Sequence, residues 1–161
     1  MQKNKRTWHK GRGPLYVGLS IMITSFAMLI DRVGIFAAGV VPQLLIPSII
    51  LGILFTLLGI YIWVQAVIIS KINKHVDENK LVTTGIYAWV RNPIYTGITF
   101  VLMGSLCFVN NLFLLPVPLL YWLLMSIIVR SEEHVLEKKF GEAYLEYKRK
   151  VNRCVPWFPQ K

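Results

Sequence analysis

The sequence predicts an all-α integral membrane protein with about four transmembrane helices. Hydrophobic residues make up 55% of the 161 residues and charged residues only 16%, whereas soluble domains are about a quarter charged. Three stretches carry no Asp, Glu, Lys or Arg: residues 15–30, 44–69 and 92–129. Because a helix of about 20 apolar residues crosses a bilayer, these stretches are long enough to supply the spans.

The charge-free stretches divide into four spans. Residues 15–30, extended by flanking apolar residues, form the first span, and residues 44–69 form the second. The stretch 92–129 is too long for one span, and Asn110-Asn111 predicts the turn of a helical hairpin over residues 94–129. Pro116 and Pro118 predict a bend or a local break at the fourth span. Gly52 and Gly59 predict a close helix contact in the second.

The positive charges predict the orientation of the spans. All of the 18 Lys and Arg residues except Arg32 lie before the first span, between the second and third, or after the fourth. The positive-inside rule places these segments, and therefore both termini, in the cytoplasm. The chain is then a single membrane domain with cytoplasmic segments at residues 1–14, 70–93 and 130–161. A cleaved signal peptide is the competing interpretation of the N-terminus, although Asp31 and Arg32 interrupt its apolar run.

The net charge of +10 does not by itself indicate nucleic acid. No helix-turn-helix or zinc-finger pattern accompanies it, and the charge suits membrane orientation and anionic lipid headgroups. Membrane lipids are therefore the expected partners, and nucleic acid is not. His9, His75 and His134 lack metal-ligand spacing, so no metal site is predicted. The absence of a Gly-x-Gly-x-x-Gly motif excludes an ordinary Rossmann nucleotide site.

Residues 131–150 are predicted to form one cytoplasmic amphipathic helix after the fourth span. Apolar side chains recur there every three or four positions, at Leu136, Phe140, Ala143, Tyr144, Tyr147 and Val151. Acidic residues at the start and basic residues at the end suit the helix dipole. The helix is expected to lie against the cytoplasmic mouth of the bundle; the alternative is a helix that only touches lipid.

Two polar clusters fall at the cytoplasmic surface, "LVTTGIYAWVRNPIYTG" at residues 81–97 and "RSEE" at residues 130–133. The hairpin is expected to bring them together. Asn92 as a cap and Pro93 in the first turn predict the start of the third span, where free N–H groups favour an anion. Neighbouring aromatic faces attract cations, and Glu132 or Glu133 suits an ammonium group or ribose hydroxyls. The alternative interpretation is a set of interfacial anchors and an ordinary helix cap.

These residues resemble a known family. The segment "KLVTTGIYAWVRNPIYTG", followed after a helical hairpin by "RSEEHVLEKKFGEAYLEYKRKV", is similar to the isoprenylcysteine carboxyl methyltransferases, and the related membrane phospholipid methyltransferases share the outline. The resemblance covers about residues 74–156. It implies an integral membrane enzyme that uses S-adenosylmethionine without a Rossmann domain.

The resemblance also implies roles for individual residues. The residues expected to bind the cofactor are Asn79, Lys80, Leu81 and Val82, mainly through backbone groups, with Tyr87, Asn92, Pro93, Ile94, Tyr95 and Glu132. Arg130 and Glu133 are predicted to act in catalysis. The family's eukaryotic members usually have histidine at the position of Asn92 and an arginine at that of Ile128, two residues before Arg130. The small size and minimal loops predict a prokaryotic-type member in the plasma membrane.

The expected reaction is methylation of a lipophilic acceptor from the bilayer, either a small molecule or a lipid-modified substrate. A prenylcysteine-like carboxylate is the first choice, and it needs no base because a carboxylate is already deprotonated. An amine acceptor would need deprotonation, for which Glu133 is a candidate. N-methylation of a phospholipid headgroup and a non-catalytic binding or assembly role are the alternatives. In each enzymatic case, alignment of the reactants supplies most of the catalysis.

Overall fold

A computed structural model describes residues 12–72, 75, 78 and 80–158 of the chain. Within this part, the α-helices are α1 (Gly13–Arg32), α2 (Leu45–Val64), α3 (Pro93–Cys107), α4 (Val117–Phe140) and α5 (Glu142–Lys150). A π-helical turn over Gln65–Ile69 extends α2. Helical segments Gly13–Arg32, Pro42–Ile69 and Leu112–Phe140 are long and apolar enough to cross a membrane, and Pro93–Cys107 is a shorter apolar helix. The predicted all-α membrane fold is confirmed.

Helices α2 and α3 approach so closely that glycine is required where they cross. A Cβ atom on Gly59 would lie 2.6 Å from the carbonyl oxygen of Gly97, and one on Gly104 would lie 2.7 Å from that of Gly52. Small residues that let two backbones approach are typical of transmembrane helix pairs. The close contact expected of Gly52 and Gly59 is therefore present, and α3 is the helix they contact.

Buried hydroxyl groups join α1 to the hairpin formed by α3 and α4. Tyr16 Oη shares a hydrogen bond of 2.5 Å with Thr99 Oγ1 of α3. Thr24 Oγ1 shares one of 2.6 Å with Tyr121 Oη of α4. Hydrogen bonds of this kind add specificity to helix packing in apolar surroundings, where close packing supplies most of the attraction. They fix the position of α1 against the hairpin.

The hairpin turn forms where the asparagine pair predicts it. Asn110 adopts a φ of +53°, a left-handed conformation that asparagine tolerates better than most residues. Its side-chain amide donates to the carbonyl oxygen of Val41 at 2.7 Å. The amide of Asn111 donates to the carbonyl oxygen of Phe36 at 2.9 Å and to the Asp31 carboxylate at 2.5 Å. The pair thus also attaches the hairpin to the connection between α1 and α2.

The helices after the fourth span differ from the prediction of one separate helix over residues 131–150. Helix α4 continues from the membrane without a break to Phe140, and the chain turns at Gly141, with φ +56°, before α5 begins. Nothing at Arg130-Ser131 stops a helix, whereas glycine adopts the left-handed conformation at little cost. The fourth span and the first half of the predicted amphipathic helix are therefore one continuous element.

An apolar cluster spans the turn between α4 and α5 and explains the continuous spacing seen in the sequence. Its buried members are Tyr144, Tyr147 and Val151, against which Leu81, Leu136 and Phe140 pack. Leu81 belongs to the loop before α3, so α5 rests on protein at the mouth of the bundle. The alternative of a helix that touches only lipid does not describe this arrangement.

The α2–α3 crossing generates a stability prediction. Gly59→Ala places a methyl group against the Gly97 backbone, and overpacking of this kind costs about 1–3 kcal/mol. We expect a lower midpoint of thermal unfolding in detergent. Gly18→Ala is the matched control, because a Cβ atom there meets nothing within 4 Å. Equal midpoints for the two variants would contradict the close crossing.

Candidate functional site

Helix α3 begins at Pro93, as predicted, but Asn92 does not cap it with its side chain. The Asn92 side-chain amide donates to the carbonyl oxygen of Arg153 at 3.0 Å, and its backbone N–H donates to the same oxygen at 3.2 Å. Asn92 thus occupies the predicted N-cap position, but its side chain binds the C-terminal segment of the chain rather than an N–H group of the helix.

That C-terminal segment, residues 151–158, is called the tail here, and it runs along the loop that leads into α3. Val90 and Asn152 form a parallel β-bridge. The hydrogen bonds run from Arg91 N–H to the Asn152 carbonyl (2.8 Å), from Thr96 Oγ1 to the Cys154 carbonyl (2.7 Å) and from Trp157 N–H to the Trp89 carbonyl (3.2 Å). The backbone of the tail thus holds the start of α3 in place.

A buried ion pair joins the same loop to α4. Arg91 donates from Nε to Glu133 Oε1 at 3.0 Å, and its Nη2 lies 2.8 Å from that oxygen. The two side chains are only 7% and 3% exposed. Arg91 Nη1 also donates to the carbonyl oxygens of Lys148 and Val151, both at 2.6 Å. Arg153 Nη2 lies 3.1 Å from Glu133 Oε2. We call Arg91, Glu133 and Arg153 the clasp.

The Arg91–Glu133 pair of the clasp is energetically important because both of its charges are buried. Removing one partner of a buried ion pair leaves an uncompensated charge and costs about 3–5 kcal/mol. Arg91 is the central member, since its planar guanidinium reaches a carboxylate and two carbonyls at once. The loop, α4, the end of α5 and the tail therefore meet at one side chain.

Tyr95 and Glu132, one from each predicted polar cluster, meet beside the clasp. Tyr95 Oη donates to Glu132 Oε2 at 2.8 Å. The ring of Tyr95 packs edge-on against Tyr16 of α1, with ring centres 5.1 Å apart. Gly13, at the start of α1, is so close that an added Cβ atom would lie 3.1 Å from Tyr95 Oη. The hairpin thus joins the two clusters, and the start of α1 borders the place where they meet.

The other residues expected to bind the cofactor lie around this centre. Tyr87 is buried, its carbonyl accepts a hydrogen bond from Tyr147 Oη at 2.6 Å, and burial raises the pKa of its phenol. Pro93 is buried and Ile94 half-buried in the first turn of α3. The rest of the set is more open: Leu81 and Val82 are half-buried, and Lys80 is exposed and paired with Glu78 at 2.8 Å. Asn79 lies outside the described residues.

The two residues predicted to act in catalysis have different surroundings. Arg130 is exposed on α4, and no hydrogen bond or ion pair joins it to another residue in the described part of the chain. Glu133 is buried between Arg91 and Arg153. Their catalytic roles stay predictions, and the geometry of Glu133 suits a positioning role.

Sequence reasoning missed Arg91 and the tail. Arg91 was counted only as one of the positive charges that orient the membrane segments. The position of Arg91 directly before Asn92-Pro93 was an available signal. A long side chain with several N–H donors at that position can reach the segment that packs against the start of the helix. The tail binds through carbonyl oxygens, which every residue has, so its role leaves no pattern in the sequence.

Two cavities border the bundle on the α2 side. A cleft of about 660 Å³ lies between the inner end of α2, the turn at Gly85 and the tail, with Tyr61, Gln65, Trp89 and Trp157 in its wall. An apolar cavity of about 310 Å³ lies between α1, α2 and α3, bordered by Val17, Trp63 and Gly97 among others. Tyr95 and Glu132 line neither of them.

Comparison with known proteins gives a family match. The model of a family described as phospholipid methyltransferase matches residues 47–143, which include the α2–α3–α4 bundle, Tyr95 and the clasp residues Arg91 and Glu133. No solved structure matches the chain.

Curated relatives cover the same region. The chain is 40% identical to the protein-S-isoprenylcysteine O-methyltransferase of Xenopus laevis over 88 residues, which are 53% of this chain and 30% of the relative. It is 35% identical to that of Schizosaccharomyces pombe over 94 residues, 58% of this chain and 39% of the relative. The human protein of the same name is 36% identical over 88 residues, which are 53% of this chain and 30% of the human protein. The chain thus spans about a third of the length of these relatives.

Cys154 reports on the docking of the tail. It is buried against Tyr95 and Met125, and burial raises the pKa of its thiol from 9.0 to about 11, although Arg153 opposes the shift. Since the thiolate is the reactive form and the docked thiol is both buried and raised in pKa, maleimide reacts with Cys154 when the tail opens. We expect labelling near neutral pH to be at least about 100-fold slower in the folded protein than in the SDS-unfolded chain, because each pKa unit alone lowers the thiolate fraction about tenfold. Cys107→Ala removes the other thiol.

The pH dependence of this labelling follows from the same shift. Because the folded pKa is above the unfolded one, the stabilisation that the neutral thiol provides is complete below about pH 9 and is lost as the pH rises towards 11. Labelling should therefore rise steeply in that window. Equal rates in folded and unfolded protein near neutral pH would show that the tail is not docked.

Proposed function

Because the chain belongs to the phospholipid methyltransferase family, we propose that it transfers a methyl group from S-adenosylmethionine to a lipophilic acceptor in the membrane. The observation that carries the proposal is the Tyr95–Glu132 pair. It places a carboxylate and an aromatic ring where the cytoplasmic ends of α3 and α4 meet, beside the first turn of α3.

The residues present fit this cofactor. Glu132 is half-buried, and Tyr95 supplies the hydrogen bond that it accepts from the described residues. A carboxylate accepts several hydrogen bonds, so Glu132 has capacity for an ammonium group or ribose hydroxyls. The first turn of a helix leaves N–H groups without intrahelical partners, and in α3 those of Ile94 and Tyr95 suit a carboxylate of the ligand. Asn92 donates its hydrogen bonds to the tail, so its role is to hold the start of α3 rather than to contact the ligand.

The chemistry divides between the cofactor and the chain. S-adenosylmethionine supplies a methyl group that is already activated for displacement. Tyr95 fixes the orientation of Glu132, which holds the polar end of the ligand. Buried Tyr87 and Pro93 keep water away from the inner side. The protein thus contributes alignment and desolvation, which are the main requirements of an in-line transfer.

Two observations support a carboxylate as the acceptor. The relatives are named for O-methylation of isoprenylcysteine. An amine acceptor would need a base, and Glu133, the candidate for that task, is buried and paired with Arg91. The apolar cavity between α1, α2 and α3 supports an acceptor with an apolar chain that enters from the bilayer. Cytoplasmic termini and a prokaryotic plasma membrane complete the proposal, and the placement of Lys and Arg supports the orientation.

Binding of S-adenosylmethionine in detergent, measured by calorimetry, tests the cofactor and the site. Glu132→Gln should weaken binding about 10-fold to 100-fold, because a charge-assisted hydrogen bond contributes about 1.5–3 kcal/mol. Tyr95→Phe keeps the ring and should weaken binding less. Glu146→Gln is the matched control, since Glu146 is exposed on α5 and pairs only with Lys150. No binding by the unchanged protein refutes the function; unchanged affinity of Glu132→Gln refutes the site.

Transfer of a labelled methyl group tests the acceptor. An S-farnesyl cysteine with a free carboxylate should accept label that base releases, since base hydrolyses methyl esters. The same compound already esterified is the matched control and should accept none. Base-stable label in phospholipid would instead establish headgroup N-methylation and contradict the carboxylate proposal.

A further inference from the structure

The tail contacts several of the residues on which the proposed cofactor site depends. We propose that the tail is part of that site, and that Arg91 and Glu133 are positioning residues whose clasp couples tail docking to cofactor binding. This inference rests on the proposed function. It assigns roles to Arg91, Arg153 and the tail that the catalytic predictions for Arg130 and Glu133 did not include.

The contacts of the tail reach both sides of the proposed site. The Arg153 carbonyl holds the backbone and the side chain of Asn92. The Cys154 carbonyl accepts from Thr96 Oγ1, one residue after Tyr95. The Cys154 side chain is buried in the same cluster as the Tyr95 ring. Undocking the tail would therefore free the start of α3 and remove a neighbour of Tyr95.

The clasp determines whether the tail stays docked. Arg91 Nη1 binds the Val151 carbonyl, where the tail begins, and the Lys148 carbonyl, in the last turn of α5. The Arg153 guanidinium lies against Glu133 Oε2. Glu133 is the direct neighbour of Glu132 in α4, so a shift of one alters the other. The Arg91–Glu133 pair thus contacts the tail and also fixes the part of α4 that carries Glu132, the carboxylate proposed to hold the ligand.

Thermodynamic coupling distinguishes a positioning role from a merely structural one. If the cofactor binds only when the tail is docked, it must also stabilise the docked tail, because coupling between two equilibria is reciprocal. The free energy of opening the tail then rises with ligand concentration. The fraction of molecules with an open tail falls by a factor of (1 + L/Kd), where L is the free ligand concentration. If the clasp only supports the fold, the ligand leaves tail opening unchanged.

The first experiment measures maleimide labelling of Cys154 in the full-length Cys107→Ala protein, with and without S-adenosylmethionine. At a ligand concentration ten times the dissociation constant found by calorimetry, labelling should slow about tenfold. An unchanged rate at that occupancy overturns the coupling and leaves the proposed function standing. If calorimetry shows no binding, the proposed function fails, and the coupling fails with it.

Variants of the clasp test the positioning residues without any ligand. Arg91→Lys keeps the charge but cannot bond the carboxylate and two carbonyls together, and Glu133→Gln removes the charge at constant shape. Each variant should speed Cys154 labelling at least about tenfold, because it loses at least about 1.4 kcal/mol of the buried ion pair. Helix content, measured by circular dichroism, should stay that of the parent. Arg149→Ala is the matched control, because its partner Glu142 is exposed.

The variants decide the clasp separately from the cofactor. Parent-like labelling in both Arg91→Lys and Glu133→Gln, with intact helix content, overturns the role of the clasp. If Arg149→Ala also speeds Cys154 labelling, the effect is not specific to the clasp residues, and the proposed role of the clasp is overturned. If Arg91→Lys fails to fold, Glu133→Gln decides, since it leaves the two carbonyl bonds of Arg91 in place.

Discussion

The arrangement of α4, α5, the tail and the loop before α3 depends on the buried pair of Arg91 and Glu133. An apolar cluster and the backbone bonds of the tail also join these segments, but this pair is the point at which all of them meet. The pair is surrounded by protein, so it is poorly screened, and its strength rests on the carbonyl bonds that satisfy the remaining donors of Arg91. Because those carbonyls belong to α5 and the tail, one arginine fixes segments that are far apart in sequence.

The membrane part of the fold supports this arrangement. The glycine contacts between α2 and α3 and the hydroxyl bonds of α1 set the hairpin. Helix α4 carries that geometry to Glu132 and Glu133 without a break. Successive residues on an α-helix point about 100° apart. Glu132 therefore faces Tyr95 and α1, while Glu133 faces Arg91. A rigid helix gives two adjacent carboxylates two separate tasks.

The sequence was sufficient for the spans, the turn at Asn110-Asn111 and the start of α3, because charge-free runs and proline act locally. It was also sufficient to bring Tyr95 and Glu132 together, since the hairpin requires it. The residues by themselves did not separate Glu132 from Glu133, because adjacent glutamates look alike until the helix is placed, and only the family resemblance assigned them different roles. The end of α4 at Gly141 was missed because apolar spacing continues across the turn.

The exposed ion pairs of α5 show why position, more than number, makes a charge useful here. Arg149–Glu142 and Lys150–Glu146 are as short as the Arg91–Glu133 contact, at 2.8 Å. Water screens both exposed pairs, and such pairs contribute little to stability. Arg91 differs only in its surroundings, where α4, α5 and the tail exclude water. Enclosure by these segments is therefore what distinguishes the Arg91–Glu133 pair from the exposed pairs of α5.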